Sequence, residues 1–223
     1  MCVHCEIPSD VKEAFYNGNP ALKKSKENDD ILYLQVNIVG DQGCGKTSLI
    51  DAFNADKFPS ITSVSRYSRY KLMAVNNIPV ELVIYDTIGI EDYDDVKTRS
   101  LMLMFSEVNI LCYSIESRES FESISSLWWP EIKAARIRKP FLLVGLKKDL
   151  RPGKQTHEWV KANEGKALAK YIGAVGFSEC SSVTNEGINE IFEMAVNKCD
   201  KVVKKKGELK NQAWKYLCCY KKD

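Results

Sequence analysis

The sequence lacks any apolar run near the roughly 20 residues needed to cross a bilayer, and its start lacks the apolar stretch of a secretory signal. Both absences argue against a membrane-spanning helix and predict a cytoplasmic, reducing setting, in which the eight cysteines stay thiols. Cys2, His4 and Cys5 have no second ligand cluster to accompany them and make a poor metal site; acylation on cysteine is the alternative use of that segment. Glycine is missing after Met1, where Cys2 stands, which excludes N-myristoylation. A basic face is missing as well. The formal net charge is +2, yet residues 198 to 223 hold nine lysines against Asp200, Glu208 and Asp223, so the rest of the chain is mildly acidic. That distribution predicts no nucleic-acid partner, and a tail suited to an anionic membrane surface.

What is present suffices for one core: 223 residues, 44% of them hydrophobic. Residues 1–29 mix Pro8, Gly18, Pro20 and the charged run "LKKSKENDD" without periodicity, which predicts a flexible extension. Order is expected over 30–200, followed by a basic tail over 201–223. "ILYLQVNIVG", "VNILCYSI" and "PFLLVGL" are near-continuous apolar strands, "AVGFSECS" is a last one, and "YKLMAVNNIPVELVIYD" is a hairpin about Asn76-Asn77. Helices are predicted over roughly 46–55, 98–106, 119–136, 157–171 and 187–204, the last with Ile188, Ile191, Phe192 and Ala195 on one stripe. Alternating strands and helices give an α/β class, with a mainly parallel sheet covered on both faces and ligands at the carboxyl ends of its strands.

"GDQGCGKTS" follows the first strand and opens the first helix, the context in which G-x-x-x-x-G-K-[ST] is a strong phosphate-loop signal. Gly43, Cys44, Gly45 and Ser48 belong to the cradle, Lys46 can reach outer phosphates, and Thr47 offers a hydroxyl to magnesium. That loop alone suits an ATPase, a nucleotide kinase or a GTPase, and the later motifs decide between them. "DTIG" ends the third strand, so Asp86 can hold Mg2+ through water and the Gly89 amide can meet a terminal phosphate. In "GLKKDLR" Lys147 can lie along a purine while the Asp149 carboxylate accepts from the paired donors of guanine, which adenine lacks; Leu150 adjoins them. Ser181 and Ser182 of "ECSS" would supply backbone contacts to the base.

With these four motifs in this order, the chain resembles a Ras-superfamily small GTPase. "SFESISSLWWPEIKA", with Trp128 and Pro130-Glu131, together with "DTIGIEDYD", "KKDLR" and "ECSSVT", is most similar to the Rho family. The resemblance covers about residues 31–200. It implies a three-layer P-loop GTPase fold on a mostly parallel six-stranded sheet, GTP/GDP and Mg2+ as ligands, and effector proteins that read switch I and switch II. An exchange factor or activating protein and a monomeric state are expected besides. By position it places Phe58 against the base and Ser65 on the metal.

Several residues depart from that pattern. Gln42 stands in the phosphate loop where glycine is usual, and Ile90 follows "DTIG" where glutamine is usual. Isoleucine can neither donate to nor accept from water, so slow GTP hydrolysis is expected unless Glu91 or another group substitutes. Switch I has Thr62 and Val64 in place of tyrosine and proline, with basic Arg66 and Arg69. Leu146 replaces the polar residue that ties base to phosphate loop, a hydrogen bond worth on the order of 1 kcal/mol. The segment "RPGKQTHEWVKANEG" is too short for the full extra helix of Rho proteins. Tyr220 takes the place of the prenylated C-a-a-X cysteine, leaving Trp214, Tyr216, Leu217 and the pair Cys218-Cys219 beside lysines as the membrane-directed features. Two alternatives to a slowly hydrolysing switch stay open: an ordinary cycling GTPase, and a GDP-bound or nucleotide-poor scaffold.

Overall fold

A computed structural model describes residues 31–55, 68–86, 96–151 and 159–199. Its strands are β1 (Leu32–Val39), β2 (Ser68–Val75), β3 (Ile78–Asp86), β4 (Val108–Ser114), β5 (Phe141–Leu146) and β6 (Gly176–Glu179). They form one sheet in the order β2-β3-β1-β4-β5-β6, antiparallel only between β2 and β3. The hairpin between those two turns at Asn76 and Asn77, whose φ of 52° and 63° lie in the left-handed region that asparagine tolerates best after glycine. Asn76 Nδ2 then donates to Asn197 Oδ1 at 2.6 Å and ties the turn to the last helix.

Helices α1 (Lys46–Asn54), α2 (Val96–Phe105), α3 (Arg118–Ser123), α4 (Trp129–Ala134), α5 (Ala162–Ile172) and α6 (Ile188–Lys198) cover both faces. Strand alternation decides which residues meet them. Leu34, Val36 and Ile38 of β1 pack on one side with Leu49, Ile50 and Phe53 of α1 and the Ile188, Ile191 and Phe192 stripe of α6. Phe53 and Phe192 stack with ring centroids 3.7 Å apart. On the other side Val39, Leu111, Tyr113 and Leu143 pack with Leu103 of α2, Ile132 of α4, and Ala169 and Ile172 of α5. Every residue of β4 and β5 is buried, which is why those strands show no polar alternation. Each large side chain buried here contributes about 1.5–3 kcal/mol.

Three helices differ from expectation. The long helix predicted over 119–136 is α3 and α4 joined by a π-helical turn, Ile124–Trp128. The helix predicted from 157 begins at Ala162: Lys161 is extended, and its N–H donates to Glu164 Oε2 at 2.8 Å, starting the helix there. The helix predicted to reach 204 stops at Lys198, because Cys199 is extended and buried; 200–204 lie outside the described residues.

Because five strands run parallel, the segments after β1, β3, β4, β5 and β6 all emerge at one edge of the sheet. The pairing of Ile38 with Asp86 sets the end of β3 beside the loop that leaves β1.

Candidate functional site

Gly40 begins the phosphate loop under tight constraint: a Cβ on it would lie 2.1 Å from the Cys112 carbonyl oxygen, and its φ is 146°. Its own carbonyl accepts from Lys46 Nζ at 2.6 Å, and the Asp41 carbonyl accepts from the same ammonium at 2.9 Å. Lys46 is only 5% exposed, so the loop backbone holds a buried cation at the start of α1. Gly45 precedes that helix with φ 114°, and among the described residues no side chain caps it, so the N-terminal end of α1 faces the loop as an anion-favouring terminus. Gln42 is exposed at the loop tip, and Cys44 is buried beneath it.

Thr47 Oγ1 donates to Asp86 Oδ2 at 2.8 Å, joining the first turn of α1 to the end of β3. A hydroxyl and a carboxylate held together are hard oxygen donors of the kind magnesium takes, beside a lysine and a helix N-terminus suited to phosphate. By that chemistry the donor set fits a Mg·nucleotide.

The base motif assembles across β5 and β6. Lys147 turns left-handed (φ 63°) into a single 3-10 turn, Lys148–Leu150. The Lys148 N–H donates to the Cys180 carbonyl at 2.9 Å, and the Cys180 N–H to the Gly145 carbonyl at 2.9 Å, so the two loops share a backbone ladder. Ser181, fully buried, donates its hydroxyl to Asp149 Oδ1 at 2.6 Å and accepts from the Val183 and Thr184 N–H groups at 3.2 and 3.1 Å. Its side chain therefore aims the carboxylate, whereas the sequence had led us to expect from "ECSS" only backbone contacts to the base. Ser182 and Leu150 flank the pair, both partly exposed. Lys147 Nζ forms an ion pair with Glu116 Oε1 at 2.6 Å, a partner the motif did not signal.

Leu146 is 2% exposed and packs toward the phosphate loop, its Cδ1 3.5 Å from where a Gly45 Cβ would stand, with Lys147 Cε 3.8 Å from the same point. An apolar contact thus joins base loop to phosphate loop where a polar tie was expected. The thiols below are chemically quiet. Burial pushes Cys112 well above the usual thiol range, with Cys44 and Cys180 adding to the shift and Lys46 opposing it. Burial, then Asp149 and Glu179, push Cys180 up to about 12.

Gly43, Cys44, Gly45, Lys46, Thr47, Ser48, Asp86, Lys147, Asp149, Leu150, Ser181 and Ser182 thus share the carboxyl edge of the sheet. Phe58, Ser65, Gly89 and Ile90 lie outside the described residues. A model of the Ras family matches residues 35–201, about three quarters of the chain. The chain belongs to the Ras family. As a Ras-family protein it is a GTP-binding molecular switch of the small-GTPase kind, and the matched stretch includes the phosphate loop at 40–48. Sequence reasoning passed over one contact within this Ras-family site: Trp128 Nε1 donates to Asp41 Oδ1 at 2.8 Å. An acid inside a loop built for anions was the available signal.

Proposed function

We propose that this protein is a Rho-like switch that holds Mg·GTP and hydrolyses it slowly, so that it dwells in the state effectors read. Gln42 carries the proposal: it puts a long side chain on the exposed tip of the phosphate loop, where the family pattern has glycine. Ile90 adds to it from the sequence, having no atom with which to orient water. Bound magnesium would be held by Thr47 and Asp86, with Ser65 as the third ligand, and would neutralise phosphate charge. Loss of an orienting group costs about 10²-fold, and the unaided Ras reaction runs at roughly 3–5 × 10⁻⁴ per second, which extends the bound triphosphate's half-life to about two days.

Effectors would read switch I and switch II, the second continuing into α2, whose far end is fixed by Asn37 Nδ2 donating to the Met102 carbonyl at 2.5 Å. The Rho-like assignment rests on Trp128 and Pro130-Glu131 and on "ECSSVT". The lysine-rich segment 201–223 would bring the protein to the cytoplasmic face of an anionic membrane, at about 1 kcal/mol per lysine near the surface. Single-turnover hydrolysis tests the proposal: Gln42→Gly with Ile90→Gln is expected to raise the rate of loaded GTP loss, and an unchanged rate would overturn it. Leu146 favours a second reading, a nucleotide-poor scaffold, because it supplies no hydrogen bond between the base and phosphate loops; nanomolar GDP affinity would dismiss it.

A further inference from the structure

Asp41 is an unusual neighbour for a phosphate chain. Its carbonyl belongs to the anion site, accepting from Lys46 Nζ at 2.9 Å and from the Cys44 N–H at 3.3 Å. Its side chain carries a negative charge into the same loop, where it would repel phosphate oxygens. The structure gives that charge a partner from a distant part of the chain. Trp128, 3% exposed in the core between helix and sheet, directs its indole N–H to Asp41 Oδ1 at 2.8 Å, across 87 residues of sequence.

The reach of Trp128 follows from the π turn. Ser120, Ile124, Trp128 and Ile132 are all buried, a strict four-residue spacing. On an ordinary α-helix each step of four overshoots the turn by about 40°, so three steps would swing the face by about 120° and carry one end into solvent. Here the Trp129 N–H donates to the Ile124 carbonyl, five residues back, and this wider turn absorbs the drift. Consequently Trp128 stays buried and within reach of Asp41, while Trp129 packs toward Phe141 with ring centroids 5.4 Å apart.

We propose that Trp128 is a positioning residue for the nucleotide: its indole N–H holds the Asp41 carboxylate on the helix side of the loop, away from bound phosphates, and keeps the Asp41 carbonyl on Lys46. The π turn is the device that puts it there. This rests on guanine-nucleotide binding at the loop. A helix that lies outside the two nucleotide-sensing segments then sets how tightly nucleotide is held.

The test is a double-mutant cycle on full-length protein, reading GDP dissociation constants and release rates beside the unfolding midpoint. Trp128→Phe keeps the ring and removes the N–H; Asp41→Asn keeps an accepting oxygen and removes the charge. Trp128→Phe is expected to weaken GDP about tenfold, or about 1.4 kcal/mol, with Asp41 present, and less than about twofold once Asp41→Asn accompanies it. An equal loss in both backgrounds would overturn the proposal, since the ring would then act only by packing. Failure of the unsubstituted protein to bind GDP would count against nucleotide binding itself and is read separately. Should Trp128→Phe not fold, the indole N–H resonance of Trp128 decides: a shift on Asp41→Ala that Asp41→Asn does not reproduce supports the contact, and an unmoved resonance overturns it.

Discussion

Ser181→Ala removes a single oxygen at the point where base recognition and local stability meet. The hydroxyl donates to Asp149 Oδ1 at 2.6 Å and accepts from two backbone N–H groups, in a residue with no solvent exposure. A hydrogen bond to a charged partner contributes about 1.5–3 kcal/mol, and the two N–H groups, on exposed residues, regain much of their loss from water. A cost of about 2 kcal/mol follows, which for a domain of this size lowers the unfolding midpoint by about 4–8 °C. The freed Asp149 carboxylate must also be re-ordered when guanine binds, weakening GDP by roughly five- to tenfold, on the order of 1 kcal/mol. Differential scanning calorimetry and isothermal titration measure the two effects on one preparation. If both the midpoint and the GDP affinity are unchanged, Ser181 does not aim Asp149 and the base-site argument fails.

Four other outcomes are expected. Gly40→Ala places a methyl 2.1 Å from the Cys112 carbonyl oxygen and should cost more than about 3 kcal/mol in urea unfolding, or prevent folding; near-native stability would contradict the packing. Tyr113→Phe deletes a buried phenol oxygen that has no hydrogen-bond partner among the described residues, so stability should hold or rise by up to about 1 kcal/mol, and a clear loss would reveal a partner elsewhere in the chain. Cys112 and Cys180 should resist iodoacetamide in the native protein at pH 8 and react once urea unfolds it, as peptide mass mapping would reveal. The Arg118 guanidinium, at 2.7 Å, and then the Lys161 N–H hold the Glu164 carboxyl below its usual range. Their contribution is therefore present above the unfolded value of about 4.3 and is lost as pH falls through the lowered one, and Glu164→Gln should flatten that acid limb of the stability curve.

Much of the fold was legible because the determinants are local. β4 and β5 show themselves as unbroken apolar runs, and the asparagine pair marks the hairpin without reference to the rest of the chain. The phosphate loop was legible for the same reason, since Gly40 to Ser48 carry their own geometry. Where tertiary contacts decide, the sequence was mute. Nothing adjacent to Trp128 announces that its partner lies at Asp41, and a four-residue spacing of buried positions resembles an ordinary helix until its accumulated rotation is followed over three turns. Lys161 is not a residue type that starts helices; Glu164 reaching back to its N–H makes it one. The lysine-rich stretch after Lys198 has good helical propensity, but burying Cys199 in extended conformation ends the helix first. Lys147 was expected along a base, and its ion pair with Glu116 could be found only once β4 and β5 were paired.

A switch that hydrolyses slowly should keep its GTP through purification. Freshly purified full-length protein, denatured and resolved by chromatography, gives the identity of the bound nucleotide, and single-turnover decay of loaded GTP on the same preparation gives its lifetime. Mostly GTP is expected, decaying over many hours. Mostly GDP with turnover in minutes would mean that another group orients water in place of Ile90, and the reading built on Gln42 and Ile90 would be wrong.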